Sequence, residues 1–118
     1  MKDQYSLFIG RWQPLTDGHK WLFNQRLKEG KNVCIAIRDV EPDKNQPWTP
    51  QQIKDNLKIR FFNEITEGKI QVIIIPDIES VNYGRGVGYD IIEHNPPTDI
   101  KEISATKIRE QMRKDGKL

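Results

Sequence analysis

The sequence of residues 5–19 is YSLFIGRWQPLTDGH, and this stretch decides the fold. Its first five residues are β-formers and aromatics that stop at Gly10, which is typical of a buried strand running into a loop. Residues 17–29 then carry apolar side chains at helical spacing, Asp17 can cap the start, and Gly30 stands where a left-handed residue ends a helix. The stretch therefore predicts a strand, a loop and a helix in direct succession.

The middle of the chain repeats this alternation. Residues 33–37 form an almost unbroken apolar run, which is typical of a strand covered on both faces. The pair Thr49-Pro50 predicts a helix start, and apolar side chains spaced by four residues continue the helix to Gly68. Residues 70–75 predict a third strand. The apolar stripe of the second helix consists of Ile53, Leu57, Phe61 and Ile65.

Structural signals are weaker in the last third of the chain. Residues 77–88 hold three glycines and predict a loop. Residues 89–94 predict a fourth strand, which the Asn-Pro-Pro sequence of residues 95–97 ends, and residues 104–114 predict a final helix. Strands that alternate with helices favour right-handed crossovers and a parallel sheet. We therefore expect an α/β protein with a small, mostly parallel sheet flanked by helices, forming one domain over residues 1–118.

Composition narrows the possible functions. With 118 residues the chain has room for a single core, and its net charge of +2 gives little reason to expect a nucleic acid partner. One cysteine excludes an internal disulfide, and two histidines exclude a cysteine–histidine metal cage. The sequence shows neither an apolar run of membrane-spanning length nor a secretory start. We therefore expect a cytoplasmic protein without a membrane partner.

The turn at residues 10–19 carries polar groups suited to phosphate binding. In parallel sheets ligands bind beyond the carboxyl ends of the strands, and the start of a helix attracts anions. Gly18 lets the backbone approach a ligand, while Thr16 and His19 can donate hydrogen bonds to one phosphate chain. The alternative is that Thr16 or Asp17 only caps the helix and that His19 is an ordinary surface residue.

The segment ISATKIR, residues 103–109, repeats this arrangement at the last helix. Ser104 and Thr106 supply hydroxyl groups, and Arg109 lies about one helical turn further along. The alternative here is a basic amphipathic helix that Ser104 caps. If both turns bind phosphate, two helix starts hold one polyphosphate between them.

Together the two segments resemble the HIGH-type nucleotidyltransferase superfamily. This family includes nicotinamide-mononucleotide and phosphopantetheine adenylyltransferases and glycerol-phosphate and phosphocholine cytidylyltransferases. The GRWQP sequence of residues 10–14 is similar to the opening of the nicotinamide-mononucleotide branch. Thr16-x-Gly18-His19 resembles the (His/Thr)-x-Gly-His signature, and residues 103–109 match the second, C-terminal signature.

The resemblance implies a Rossmann-like sheet of the HUP type and the transfer of AMP or CMP from ATP or CTP to a small phosphorylated acceptor. Mg²⁺ accompanies the triphosphate, and no metal ligands from the protein are expected. The acceptor attacks the α-phosphorus in line and pyrophosphate leaves without a covalent enzyme intermediate. His19 acts as a hydrogen-bond donor or as a cation toward the phosphates. Small enzymes of this kind commonly associate, so a homo-oligomer is possible.

The expected site residues fall into three groups. The expected catalytic residues are Thr16, His19, Lys20 and Arg109. The expected nucleotide-binding residues are Gly10, Arg11, Trp12, Gly18, His19, Tyr83, Gly84, Arg85, Ser104, Ala105 and Thr106. The expected acceptor-binding residues are Arg38, Asp39 and Trp48.

Several of these residues have equally simple structural explanations. Arg38 and Asp39 can be an ion-paired strand end, and Trp48 can be an ordinary loop anchor. The glycines of residues 83–88 can form a tight irregular turn, and Lys20 can be a solvated side chain. These alternatives stay open from the sequence alone.

Two departures from the family pattern support a second functional hypothesis. Thr16 stands where histidine is commoner, although the phosphopantetheine branch is similar in this respect. Residues 49–52, TPQQ, lack the Glu-Arg pair that many relatives have. The alternative is a catalytically weak or inactive nucleotide-binding sensor domain. A nucleic-acid-binding role rests only on cations near the C-terminus, which are Lys101, Lys107, Arg109, Arg113, Lys114 and Lys117.

Overall fold

The computed structural model describes residues 3–86, 88–101 and 105–116. The elements in chain order are β1 (Tyr5–Gly10), α1 (Asp17–Leu27), β2 (Asn32–Asp39), α2 (Pro50–Arg60), α3 (Phe62–Thr66), β3 (Ile70–Pro76), α4 (Thr98–Lys101) and α5 (Ala105–Lys114). None of the helices in the described ranges has the length and apolar character needed to cross a membrane.

The three strands form one open sheet in which every pairing is parallel. Its order is β1-β2-β3, and Phe8, Ile35 and Val72 lie side by side across it. The apolar run of β2 is buried from Val33 to Ile37, as expected for a central strand covered on both faces. The predicted α/β class, with a parallel sheet flanked by helices, is confirmed.

One face of the sheet packs against α1 and α2 to form the core. Successive strand residues point to opposite faces, so alternate residues of β2 belong to this layer. Phe23 of α1 is fully buried and contacts Phe8 edge to face, with ring centroids 5.3 Å apart. The buried members of the cluster are Trp12, Leu15, Phe23, Val33, Ile35, Ile37, Ile53, Leu57, Ile70 and Val72.

Both long core helices begin with a threonine cap. Thr49 caps α2 as predicted, and its capping box is completed by the side chain of Gln52. In α1 the cap is Thr16, whereas Asp17 is the first helical residue. Of the two caps that the sequence left open, Thr16 is therefore present and Asp17 is not. Gly30 adopts the predicted left-handed conformation after α1, with φ of +79°.

The apolar stripe predicted as one helix is divided between α2 and α3. Phe61 interrupts the helix with φ of −116° and ψ of +30°. Side chains spaced by four residues advance about 40° around an α-helix at each step, so a straight helix would turn Ile65 away from the sheet. The break at Phe61 corrects this drift, and both Phe61 and Ile65 pack against the core.

The predicted fourth strand is absent from residues 89–94, which are irregular in the structure. Tyr89 and Ile91 are 77% and 76% exposed, so this segment does not bury its β-forming side chains. Because β-propensity reflects packing on a sheet, these residue types alone do not make a strand. The short helix α4 was not predicted. The loop predicted for residues 77–88 is irregular in its described part.

Candidate functional site

Trp12 anchors the loop that follows β1. Its indole Nε1 donates a hydrogen bond to the Ala36 carbonyl of β2 at 3.0 Å, and its side chain is buried. The backbone of Trp12 is left-handed, with φ of +52°. A non-glycine residue in that conformation costs about 1–3 kcal/mol, so the buried ring and its hydrogen bond must hold it there. The loop is thus attached to the central strand.

Gly10 is required by the position of the Trp12 ring. A Cβ atom at residue 10 would lie 2.9 Å from both Cε2 and Cζ2 of Trp12. Contacts this short do not occur in packed proteins, so any side chain at residue 10 would displace the ring. Gly10 therefore shapes the loop through packing, whatever ligand the loop binds.

Gln13 joins three separate segments. Its Nε2 donates to the Trp48 carbonyl at 2.7 Å, and the Trp48 amide donates to its Oε1 at 3.1 Å. Its own carbonyl accepts a hydrogen bond from Nη1 of Arg109 in α5. Gln13 is 5% exposed; the bond from Arg109 is buried, and the two bonds to Trp48 are partly buried. We refer to Gln13, Trp48 and Arg109 as the Gln13 clamp.

Helix α5 is attached to the same region by a second arginine. Nη2 of Arg113 donates to the Lys44 carbonyl, in a turn where the Asp43 carboxylate accepts the amides of residues 45 and 46. Arg109 is 7% exposed and lies 96 residues from its partner Gln13 in the chain. The turn after β1 and helix α5 are therefore neighbours at the carboxyl end of the sheet.

His19 is held in one orientation and one tautomer. Its Nδ1 accepts the Thr16 amide at 3.0 Å, and its own amide donates to the Thr16 hydroxyl at 3.2 Å. The Trp12 ring contacts the imidazole edge to face, with centroids 5.0 Å apart. Because Nδ1 is the acceptor, the neutral ring carries its proton on Nε2. Burial lowers the pKa of His19, which favours this neutral donor over the cation.

Two backbone donors are unpaired at the start of α1. The first-turn amides of Asp17 and Gly18 have no hydrogen-bond partner among the described residues, because the cap satisfies only the amide of His19. In the preceding loop the Nε atom of Arg11 also has no partner among the described residues, but it is buried away from solvent. Lys20 lies 3.8 Å from the exposed Asp17 carboxylate and remains close to this turn. This arrangement favours an anionic ligand.

The predicted acceptor residues lie at two places along the same edge of the sheet. Arg38 forms an ion pair with Asp77, with Nη2 2.5 Å from Oδ1, so the ion-paired strand end predicted as the alternative is present. Asp39 is the last residue of β2. Trp48 packs against the core and belongs to the Gln13 clamp.

For the remaining predicted site residues, the structure describes no contact with the turn at residues 10–19. Tyr83 is 70% exposed, and Gly84 and Arg85 are exposed beside it in the loop after β3. Ser104 lies outside the described residues. Ala105 and Thr106 begin α5, and their side chains lie outside the described part of the chain.

The importance of Gln13 was not predicted, although the residue is part of the GRWQP motif. An amide side chain can satisfy a backbone N–H and C=O at once, but the sequence does not show which distant residue it meets. Its partner Trp48 is 35 residues away and lies in the segment between β2 and α2, which has no periodic pattern. A polar residue between Trp12, Pro14 and Leu15 was the available signal.

Comparison with models of known protein families and with curated proteins gave no match to this chain. Within the described residues, no group of three or more histidine, cysteine, aspartate or glutamate side chains is placed to hold a metal ion. The functional interpretation therefore depends on the two sequence motifs and on the geometry given above.

Proposed function

We propose that this protein is a nucleotidyltransferase that transfers AMP or CMP from ATP or CTP to a small phosphorylated acceptor and releases pyrophosphate. The observation that carries the proposal is the Gln13 clamp, which joins the two motif-bearing segments at one edge of the sheet. The fold that fits this activity is the HUP type of Rossmann-like sheet, and the cytoplasm is the compartment where both nucleotides are abundant.

The triphosphate is the part of the substrate that the described residues suit best. The free amides of Asp17 and Gly18 and the Nε2–H of His19 are all donors. The positive end of the α1 dipole adds to their attraction for negative charge. Donors fixed before the substrate arrives stabilise charge without reorganising, which is the main electrostatic contribution to phosphoryl-transfer catalysis.

The chemistry needs no nucleophile from the protein. A phosphate oxygen of the acceptor forms a bond to the α-phosphorus, and the bond from that phosphorus to the bridging oxygen of the β-phosphate breaks. The electron pair leaves with pyrophosphate, whose added charge His19 stabilises by donating from Nε2. Thr16 contributes through the cap, since its hydroxyl accepts the His19 amide and fixes the first turn, while its own amide donates to His19 Nδ1 and fixes the imidazole. The protein's contribution is positioning and charge stabilisation.

Mg²⁺ enters this proposal as part of the substrate. The described turn holds one carboxylate, Asp17, which lies 3.8 Å from the Lys20 ammonium. Mg²⁺ prefers several oxygen ligands, and the other polar side chains of the turn are mainly donors. Triphosphate oxygens would therefore hold the ion, and it would neutralise part of the charge that the protein's donors do not reach.

Replacement of His19 by glutamine tests the proposal. Glutamine can occupy the third helical position of a capping box, as Gln52 does in α2, so the fold should survive. The wild-type protein should release pyrophosphate from ATP or CTP with a panel of phosphomonoesters, and His19→Gln should lower kcat at least a hundredfold, typical of removing such a donor. Gln52→His provides a control with the exchange made in the other capping box. Full turnover by His19→Gln, or no turnover by the wild type, would contradict the proposal.

A nucleotide-binding sensor is the second candidate, and one observation favours it. The Thr16 hydroxyl is buried and engaged in the helix cap, so it does not replace the second imidazole found in many relatives. A sensor would bind ATP or CTP at the same turn but release no pyrophosphate with any acceptor. Isothermal titration calorimetry beside the pyrophosphate assay separates the two functions.

A further inference from the structure

A cavity of about 400 Å³ lies at the amino ends of the strands, away from the turn at residues 10–19. Tyr5 and Ile70, the first residues of β1 and β3, both line it. Strand β1 has six residues and rises about 3.3 Å at each, so this cavity and the proposed triphosphate site are on the order of 15–20 Å apart. A ligand in the cavity would therefore not touch the nucleotide.

Two positive charges line the cavity without a matching carboxylate. Lys54 and Lys58 of α2 both belong to its lining, and neither forms an ion pair with a described residue. Side chains four residues apart lie on the same side of a helix, so both ammonium groups can reach one anionic group. None of the described residues that line the cavity is acidic.

The acidic residues nearest to this lining in the chain have other partners. The carboxylate of Glu67 lies 2.8 Å from Nζ of Lys69. The hydrogen bond to Glu67, together with the charges of Glu67 and Glu64, raises the pKa of Lys69. Asp55 accepts a hydrogen bond from Gln51 at 2.8 Å. The charges of the two cavity lysines therefore remain available to a ligand.

The rest of the lining adds hydrogen-bond donors and an apolar surface. The Tyr5 hydroxyl and the Gln71 amide have no side-chain hydrogen-bond partner among the described residues. The other lining side chains are apolar; Ile70 and Val72 are buried, and Ile65 packs against the core. A ligand gains most here by joining a negative group to a body that buries carbon atoms.

We propose that this cavity binds a small organic dianion with an apolar body, of the class of aryl or alkyl phosphomonoesters. The phosphate lies between the ammonium groups of Lys54 and Lys58, and the carbon body lies against Ile65 and Ile70. Because the cavity is separate from the turn at residues 10–19, this binding does not depend on the transferase activity.

Titration of the ¹⁵N-labelled protein with three probes tests the site. Phenyl phosphate carries both the charge and the ring, inorganic phosphate carries only the charge, and phenol carries only the ring. Gly68 lines the cavity, and its amide donates to the Ile65 carbonyl at 3.1 Å. The signal of this amide should shift saturably with phenyl phosphate. The Kd for phenyl phosphate should be at least about fivefold lower than the Kd for either other probe.

The double variant Lys54→Met/Lys58→Met removes both charges and keeps most of each apolar stem. Its Kd for phenyl phosphate should rise roughly tenfold, as expected for two partly exposed charge pairs, while its affinity for phenol should not change. Lys28→Met/Lys31→Met is the matched control, because it removes two charges from exposed lysines just after α1. This control should keep the wild-type Kd.

Four results would overturn the proposal. The Gly68 amide could show no saturable shift at millimolar phenyl phosphate, or the shifts could be confined to the turn at residues 10–19. The double variant could keep the wild-type Kd for phenyl phosphate. Inorganic phosphate could bind as tightly as phenyl phosphate, which would show that the apolar surface contributes nothing. None of these results bears on pyrophosphate release, which tests the transferase function separately.

Discussion

Replacing Gln13 with alanine should loosen the candidate site and destabilise the protein. The variant loses both hydrogen bonds between the Gln13 amide and the Trp48 backbone, each worth about 0.5–1.5 kcal/mol net. Removal of the buried side chain also leaves a small cavity, which adds about 1 kcal/mol. The free energy of unfolding should therefore fall by about 2–4 kcal/mol. The backbone carbonyl that accepts from Arg109 is retained, so the effect reports on the Trp48 arm of the clamp.

Urea denaturation followed by tryptophan fluorescence and far-UV circular dichroism measures this change. At the m-values usual for chains of this size, the midpoint should move down by about 1–2 M urea. Calorimetric titration with ATP and CTP should also show weaker binding, because the turn after β1 is no longer fixed to residues 40–49.

Gln51→Ala is the matched control for this experiment. Gln51 is an exposed glutamine in the first turn of α2, and its Nε2 donates only to Asp55 at 2.8 Å. Its replacement should change the free energy of unfolding by less than about 0.5 kcal/mol. If Gln13→Ala is as mild as this control, the clamp does not hold the loops and the reasoning is refuted.

Three further outcomes are expected from the same site. Gly10→Ala should lower the free energy of unfolding by about 1–3 kcal/mol, because the new Cβ displaces the Trp12 ring. In a Trp12→Phe background the same substitution should cost less in thermal or urea unfolding. Additive costs of the two substitutions would refute the proposed clash. Trp12→Phe alone should cost about 1–3 kcal/mol in the same assay, since it leaves the buried Ala36 carbonyl without its indole partner. Burial lowers the pKa of His19, so the imidazole binds a proton more tightly in the unfolded chain than in the folded protein. The free energy of unfolding should therefore fall as pH drops below the ordinary value of 6.5, until the folded-state pKa is passed. Unfolding free energies of the wild type and His19→Gln, measured between pH 5 and pH 8, should converge toward the acid end, and parallel pH profiles would contradict this assignment.

The sheet was predictable because its strands are continuous apolar runs. A strand such as residues 33–37 carries apolar side chains on both faces, so both faces must be covered. The glycines and prolines around these runs mark the ends of the strands. The cap at Thr49 was equally predictable, because threonine followed by proline is a favoured sequence for the start of a helix. These features depend on residues that are near one another in the chain.

The failed predictions depended on contacts that the sequence does not show. Residues 89–94 have strand-forming side chains but find no neighbouring strand, and Phe61 breaks a helix so that Ile65 can stay on the core. The cap at Thr16, one of the two caps that the sequence left open, is local by contrast: His19, three residues after Thr16, accepts the Thr16 amide, whereas Lys20, three residues after Asp17, has no acceptor atom.

The sequence pointed to residues of the candidate site but did not show how their segments are joined. His19 and Arg109 were singled out from motifs, but the role of Gln13 in bringing their segments together comes from contacts over 35 and 96 residues. Pairings at such separations are set by how the core layers pack. They leave no pattern in the local sequence.

Titration of the ¹⁵N-labelled protein with Mg²⁺-ATP and Mg²⁺-CTP tests most directly whether the turn after β1 binds a triphosphate. The amide signals of Gly18 and His19 should show large, saturable shifts with at least one triphosphate and much smaller shifts with the matching monophosphate. Saturable shifts confined to other parts of the chain, or none at these two amides at millimolar nucleotide, would contradict the account.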